Sequence, residues 1–204
     1  MAPRVQRPVR ETNPGDPTTA TRILDEAERL TQTRGFNGFS YADIAAVVGT
    51  TKAALHYHFP SKADLGYALI ARYAERFFAA LGEIDASGAP EPERLRRYVR
   101  LYADVLSRNR LCLCGMLAAE YTTLPETMRD ALREFFSRNE SWLSQLLETG
   151  RRAGTLRFDG PPHESARALT AALEGAMLLA RAYGDPQHFE AATAYLTREL
   201  TSPA

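Results

Sequence analysis

From Thr18 onward, apolar residues recur every third or fourth position, and no stretch sustains apolar–polar alternation with a period of two. A strand needs that alternation to bury one face, and a helix needs the 3.6-residue spacing. The chain therefore reads as all-α, with no sheet. The clearest case is a long helix with Leu65, Leu69, Tyr73, Phe77 and Leu81 at strict i+4 spacing, capped by Ser61.

Glycine and proline punctuate the remaining helices. A first helix spans about Thr18 to Arg34, with Ile23, Ala27 and Leu30 on one face and Gly35 as its stop. YADIAAVV follows, with Ser40 as N-cap and Asp43 three residues on, a capping-box pattern. TTKAALHYHF forms a second short helix that Pro60 ends. EIDASGAPEP reads as a loop. An amphipathic helix carries Leu95, Tyr98, Val99, Tyr102, Val105 and Leu106, and CLCGMLAAEYTTL reads as one short buried helix. Pro125 opens a helix that ends near Gly154. HESARALTAALEGAMLLARAYG is the most apolar helix, and Pro186 to Leu200 forms the last one.

With 204 residues and 45% hydrophobic content, the chain is long enough for one or two small domains with a real core. No uninterrupted apolar run approaches the ~20 residues of a membrane span. The N-terminus lacks the apolar core of a secretory signal. Cys112 and Cys114 are the only cysteines, so no disulfide framework exists and a reducing cytoplasm is the expected setting. The formal net charge is +0, but residues 1–62 hold eight Lys/Arg against six Asp/Glu. The positive end is therefore the N-terminus. Residues 1–17, with four prolines besides Arg4, Arg7 and Arg10, read as a flexible basic arm.

Between Ser40 and Phe59, a short helix, a tight turn at Gly49 and a second short helix follow the helix-turn-helix plan. Ile44, Val47 and Leu55 are the expected contacts between the two helices. The second helix would enter a major groove. Its first turn offers Thr50, Thr51, Lys52 and the small Ala54 to base edges or phosphates. Tyr57 and His58 lie one turn on and suit phosphates, as does Lys62 at the start of the following helix. His56 and His58 point about 200° apart around a helix. With no adjoining Cys or acidic cluster they make a poor metal site. Packing within the helix is the bland alternative for this HYH triplet.

The run SYADIAAVVGTTKAALHYHFPSKADL resembles the signature of the TetR family of bacterial transcriptional regulators, above all in its close LHYHFPSKADL. The resemblance covers roughly residues 18–65. It implies an N-terminal three-helix DNA-binding domain (18–62) and a larger helical domain (63–204) for ligand binding and homodimerisation. It also implies double-stranded operator DNA and a small-molecule effector as partners. Carried over by position, it adds Ser40 and Tyr41 to the DNA contacts. The family often has tyrosine where this chain has His56, whose role stays unassigned.

The C-terminal half resembles the family more loosely. LCLCGMLAAEYTTLPETMRDAL is similar to the branch that responds to electrophiles and small metabolites. Cys112 and Cys114 have two readings. Both are small buried apolar groups, or one is a reactive thiol, Cys112 first, with its pKa lowered by Arg108 or Arg110. Further pocket candidates are Tyr102, Glu120, Tyr121, Trp142, Glu174 and Tyr183. Glu174 interrupts an apolar helix and must find a partner or shift its pKa. It either recognises a ligand or pairs with an arginine across a dimer.

The functional expectation is a repressor that leaves a palindromic operator when an effector binds. The alternatives are a helix-turn-helix used only for protein interaction and an enzyme without a recognisable motif. No G-x-S-x-G, H-E-x-x-H, Walker or dinucleotide-binding glycine pattern is present, so no catalysis and no cofactor are expected.

Overall fold

The computed structural model describes residues 18–201; the expected basic arm, residues 1–17, lies outside them. Among the described residues the chain forms nine α-helices and one 3-10 turn, with no strand.

The N-terminal unit holds α1 (Thr19–Arg34), α2 (Tyr41–Val48) and α3 (Lys52–His58). Ile23, Ala27 and Leu30 of α1 pack on Ile44, Ala45 and Val48 of α2 and Leu55 of α3, forming this unit's share of the core. Val47 departs from the expected packing: it is 63% exposed and Val48 takes its place. Ala45 and Val48 already face α1, and Val47 lies about 100° round the helix from Val48. Gly49 adopts φ +72°, which ends α2 in a left-handed turn that a side chain would strain.

The long α4 (Lys62–Ala86) links this unit to the rest. It runs further than expected and absorbs EIDA from the predicted loop. Ile84 remains buried one turn beyond Leu81, and the Ser87 hydroxyl donates to the Ile84 carbonyl at 2.7 Å. The larger unit continues with α5 (Glu91–Ser107), α6 (Leu113–Ala119), a 3-10 turn (Tyr121–Thr123), α7 (Glu126–Ala153), α8 (Pro162–Tyr183) and α9 (Gln187–Thr201). The segment read as a single buried helix thus splits at Glu120. Its polar end returns to the surface and cannot continue a buried face.

α8 packs against α7 and α9, α5 also contacts α7 and α9, and α4 contacts α7. Tyr98, Phe135, Leu95 and Leu143 fill the centre. Asn139 is buried among them and bonded at both ends of its amide: it accepts from the Tyr98 hydroxyl and donates to the Tyr102 oxygen, each at 3.1 Å. α1 is fastened to α4 by ion pairs. Arg72 holds Asp25 at 2.8 Å and Glu28 at 2.9 Å, and Arg76 reaches Glu28 at 2.5 Å.

Candidate DNA interface and effector pocket

On α3, Leu55 turns inward while Lys52, His56, Tyr57 and His58 stay exposed. A helix this short gains little stability by itself. It is held at its ends instead. The Thr51 side chain accepts from the Ala54 amide at 3.1 Å, and the Phe59 amide donates to the Leu55 carbonyl at 2.7 Å. The exposed side carries Thr51, Lys52, Ala53, Tyr57 and His58, with Thr50 and Ala54 half-buried beside them. Tyr57 is 84% exposed, its ring edge-on to His58 at 5.2 Å.

Three of the expected contacts also bond within the protein. Tyr41 is buried, and its hydroxyl serves the carbonyls of Phe59 (2.9 Å) and Ser61 (2.7 Å), so it ties α2 to the start of α4. Burial pushes its pKa up to about 12. Lys62 bends inward: its ammonium donates to the Phe39 carbonyl at 2.6 Å and lies over the rings of Phe36 and Phe39. Burial lowers its pKa, and these contacts brace the α1–α2 turn. Ser40 stays exposed, but its hydroxyl and amide both donate to Asp43 in the expected capping box. The amides opening α4 also have their anion, because Asp64 accepts from the amide (2.9 Å) and hydroxyl (2.6 Å) of Ser61.

His56 now has a role. Its Nδ1 donates to the Pro60 carbonyl at 3.1 Å, since a carbonyl only accepts, and its ring rests on Tyr41 at 4.8 Å. It closes the end of α3. Among the described residues no group of three or more His, Cys, Asp or Glu is placed to hold a metal ion.

The effector candidates do not form a single site. Trp142 donates to Asp85 at 2.9 Å, and Tyr102 is spent in the Asn139 network. Tyr121 lies half-buried at the surface beside Arg129 and Arg133. Tyr183 is 67% exposed and stacks on His188. Glu120 is a latch: its carboxylate accepts from the Asn37 amide at 3.1 Å and packs on Gly35, joining the larger unit to the α1–α2 turn.

Cys112 and Glu174 do come together. The Glu174 carboxylate lies against Cys112 and Gly115, at a small cavity of about 150 Å³ lined by Leu111, Gly115, Met116, Phe136 and Met177. On the other side, the Tyr73 hydroxyl sits 3.6 Å from the Cys112 sulfur. Tyr73 also borders a larger hollow of about 350 Å³ with Glu28, Gln32 and Arg76. Burial pushes the Cys112 thiol well up, and the Glu174 charge adds to the effect. Arg108 and Arg110 line that second hollow and do not lower it. Cys114 is likewise buried, with its thiol raised.

Comparison with known proteins agrees with this architecture. Residues 23–69 match the model for bacterial regulatory proteins of the tetR family, and residues 92–196 match the tetracyclin repressor-like C-terminal domain. The chain belongs to the TetR family. It is 30% identical over 158 residues to the transcriptional regulator AcuR of Cereibacter sphaeroides, covering 76% of this chain and 72% of that protein. A TetR-family regulator from Agrobacterium tumefaciens superposes with a TM-score of 0.87 at 36% identity, covering 90% of this chain and 98% of that one. The reduced form of E. coli NemR superposes at 0.80 with 29% identity, over 91% and 98%. This TetR-family chain is thus a DNA-binding transcriptional regulator.

Several residues around Glu174 and Cys112 were not among the sequence candidates. Tyr73 read as one more rung of an apolar ladder, and Met116, Phe136 and Met177, which line the small cavity, were not singled out. Gly115 carried a usable signal: a glycine inside an apolar helix marks a close approach. A Cβ there would collide with the Glu174 carboxylate.

Proposed function

We propose that this regulator is a homodimeric repressor that leaves a palindromic operator when a small molecule enters its C-terminal domain. In this reading residues 18–62 bind DNA, and residues 63–204 bind effector and partner. One observation carries the proposal. The elements that hold Cys112 and Glu174 also hold the C-terminal end of α1. The Leu111 amide donates to the Gln32 carbonyl at 3.2 Å, and Arg181 of α8 donates to the carbonyls of Gln32 (3.1 Å) and Thr33 (2.5 Å). Any shift of α6 against α8 is therefore passed directly to α1, against which α3 packs. An effector that fits one arrangement better than the other changes the spacing of the two recognition helices by that difference in affinity.

Leu178, Leu179 and Tyr183 of α8 and Tyr195 of α9 are exposed large apolar groups, which supports pairing of these helices with their mates. Half-sites would then lie about 34 Å apart or at multiples of that spacing. A reversible effector fits the closed, raised thiols better than a thiol-reactive one.

The test is fluorescence anisotropy of the full-length protein on DNA from upstream of its own gene, at several salt concentrations. A repressor binds at low salt and loses affinity steeply as salt rises. A folded dimer that ignores this DNA at low salt refutes the proposal.

A further inference from the structure

We propose that the Glu174 cavity takes a small primary alkylammonium ion, held by the carboxylate at one end and by Met116, Phe136 and Met177 along its chain. The inference rests on the effector-pocket reading above and specifies the chemistry of that pocket.

The geometry gives three reasons. First, Glu174 Oε1 is shut off from water and has no hydrogen-bond partner among the described residues. A buried carboxylate oxygen left unsatisfied is costly, and a ligand with N–H donors relieves that cost. Second, the lining offers no counter-charge. The groups that interact with Glu174 are Tyr73 from α4, Tyr98 and Tyr102 from α5, and Cys112 and Cys114 from the α6 segment. All are neutral at pH 7, and α7 contributes the uncharged Phe136 to the wall. Of the two arginines of α8, Arg181 is engaged with α1 and Arg167 pairs with Glu140. An incoming cation therefore meets the only charge in the site, whereas a carboxylate ligand meets a like charge. Third, the size is small. A volume of about 150 Å³ holds about five non-hydrogen atoms at roughly 30 Å³ each.

Burial pushes the Glu174 carboxyl up to about 7, so it is about half protonated at neutral pH without ligand. An ammonium ligand needs it ionised. Binding should therefore tighten about tenfold from pH 6 to pH 8, following the ionised fraction of a group titrating near 7.

The experiment uses n-butylammonium as probe, with 1-butanol and butyrate as matched controls, on the intact protein. Calorimetry reads binding and anisotropy reads operator release. The expected result is binding of butylammonium at least tenfold tighter than butanol, no binding of butyrate, and the stated pH dependence in wild type. Glu174→Gln should remove the preference for the ammonium while the protein remains a folded dimer. Equal or better binding of butanol or butyrate overturns the proposal, as does a flat pH profile. Dissociation of the dimer in Glu174→Gln, with wild type blind to butylammonium, also overturns it and assigns Glu174 to an ion pair across the interface. If butylammonium binds as described but the operator stays bound, the cation site stands and the effector-release reading fails. If another compound releases the operator while butylammonium never binds, the release reading stands and the cation site fails.

Discussion

The guanidinium of Arg181 closes the C-terminal end of α1, donating to the carbonyl of Gln32 across 149 positions of sequence. The last carbonyls of a helix lack partners within it and carry its negative dipole end, so a cation there is well placed. Arg181→Ala should cost about 1–3 kcal/mol, read by urea unfolding. Hydrogen exchange should accelerate in the last turn of α1 while α2 and α3 keep their protection. Unchanged exchange in α1 would show that this contact does not couple the two units.

Lys52 and Lys62 should behave differently. Lys52→Ala should leave stability intact and shallow the dependence of operator affinity on salt by about one contact. Lys62→Met should lower the melting temperature, because the Phe39 carbonyl loses its donor and two rings lose their cation, yet it should leave the salt slope unchanged. A shallower slope for Lys62→Met would mean that Lys62 turns outward on DNA.

A second contrast lies between two tyrosines. Tyr41→Phe removes the donor shared by the Phe59 and Ser61 carbonyls and should destabilise the fold by about 1–3 kcal/mol. Tyr57→Ala, at an exposed position, should leave the melting temperature within a degree or so. Its operator affinity should fall, because it removes a phosphate donor. Thermal unfolding and anisotropy on both variants separate the roles.

The enclosed thiols should resist modification. Native protein treated with iodoacetamide at pH 8 should retain two free thiols, and both should label once the chain is unfolded in urea. Cys112→Ser should keep its response to any effector that acts on wild type. Rapid native labelling of Cys112, with loss of DNA binding, would restore the reactive-thiol reading.

Much of this regulator was legible because its signals are local. Helix periodicity, the capping boxes at Ser40 and Ser61, the turn at Gly49 and the LHYHFPSKADL run each depend on residues within a few positions of one another. Exposure of Thr51, Lys52, Tyr57 and His58 follows from the same source, since a seven-residue helix with Leu55 as its inward anchor has little else to bury.

What the sequence could not determine lies in contacts between distant segments. A tyrosine and a lysine in a DNA-binding motif look like contacts. Only the fold decides that Tyr41 meets the carbonyls of residues 59 and 61 and that Lys62 meets the carbonyl of residue 39. Glu120 looked like a pocket acid until α6 ended beside the α1–α2 turn and gave it the Asn37 amide. Cys112 had two readings, a buried apolar group or a thiol activated by Arg108 or Arg110. Packing set it between Tyr73 and Glu174, where exclusion of water raises its pKa. The sequence determined the helices, their caps and the exposed face of α3, because these depend on neighbours in the chain. Tertiary structure decided which polar groups are spent on the protein and which remain for a partner, because each is claimed by whichever backbone or side-chain group folding brings within about 3 Å.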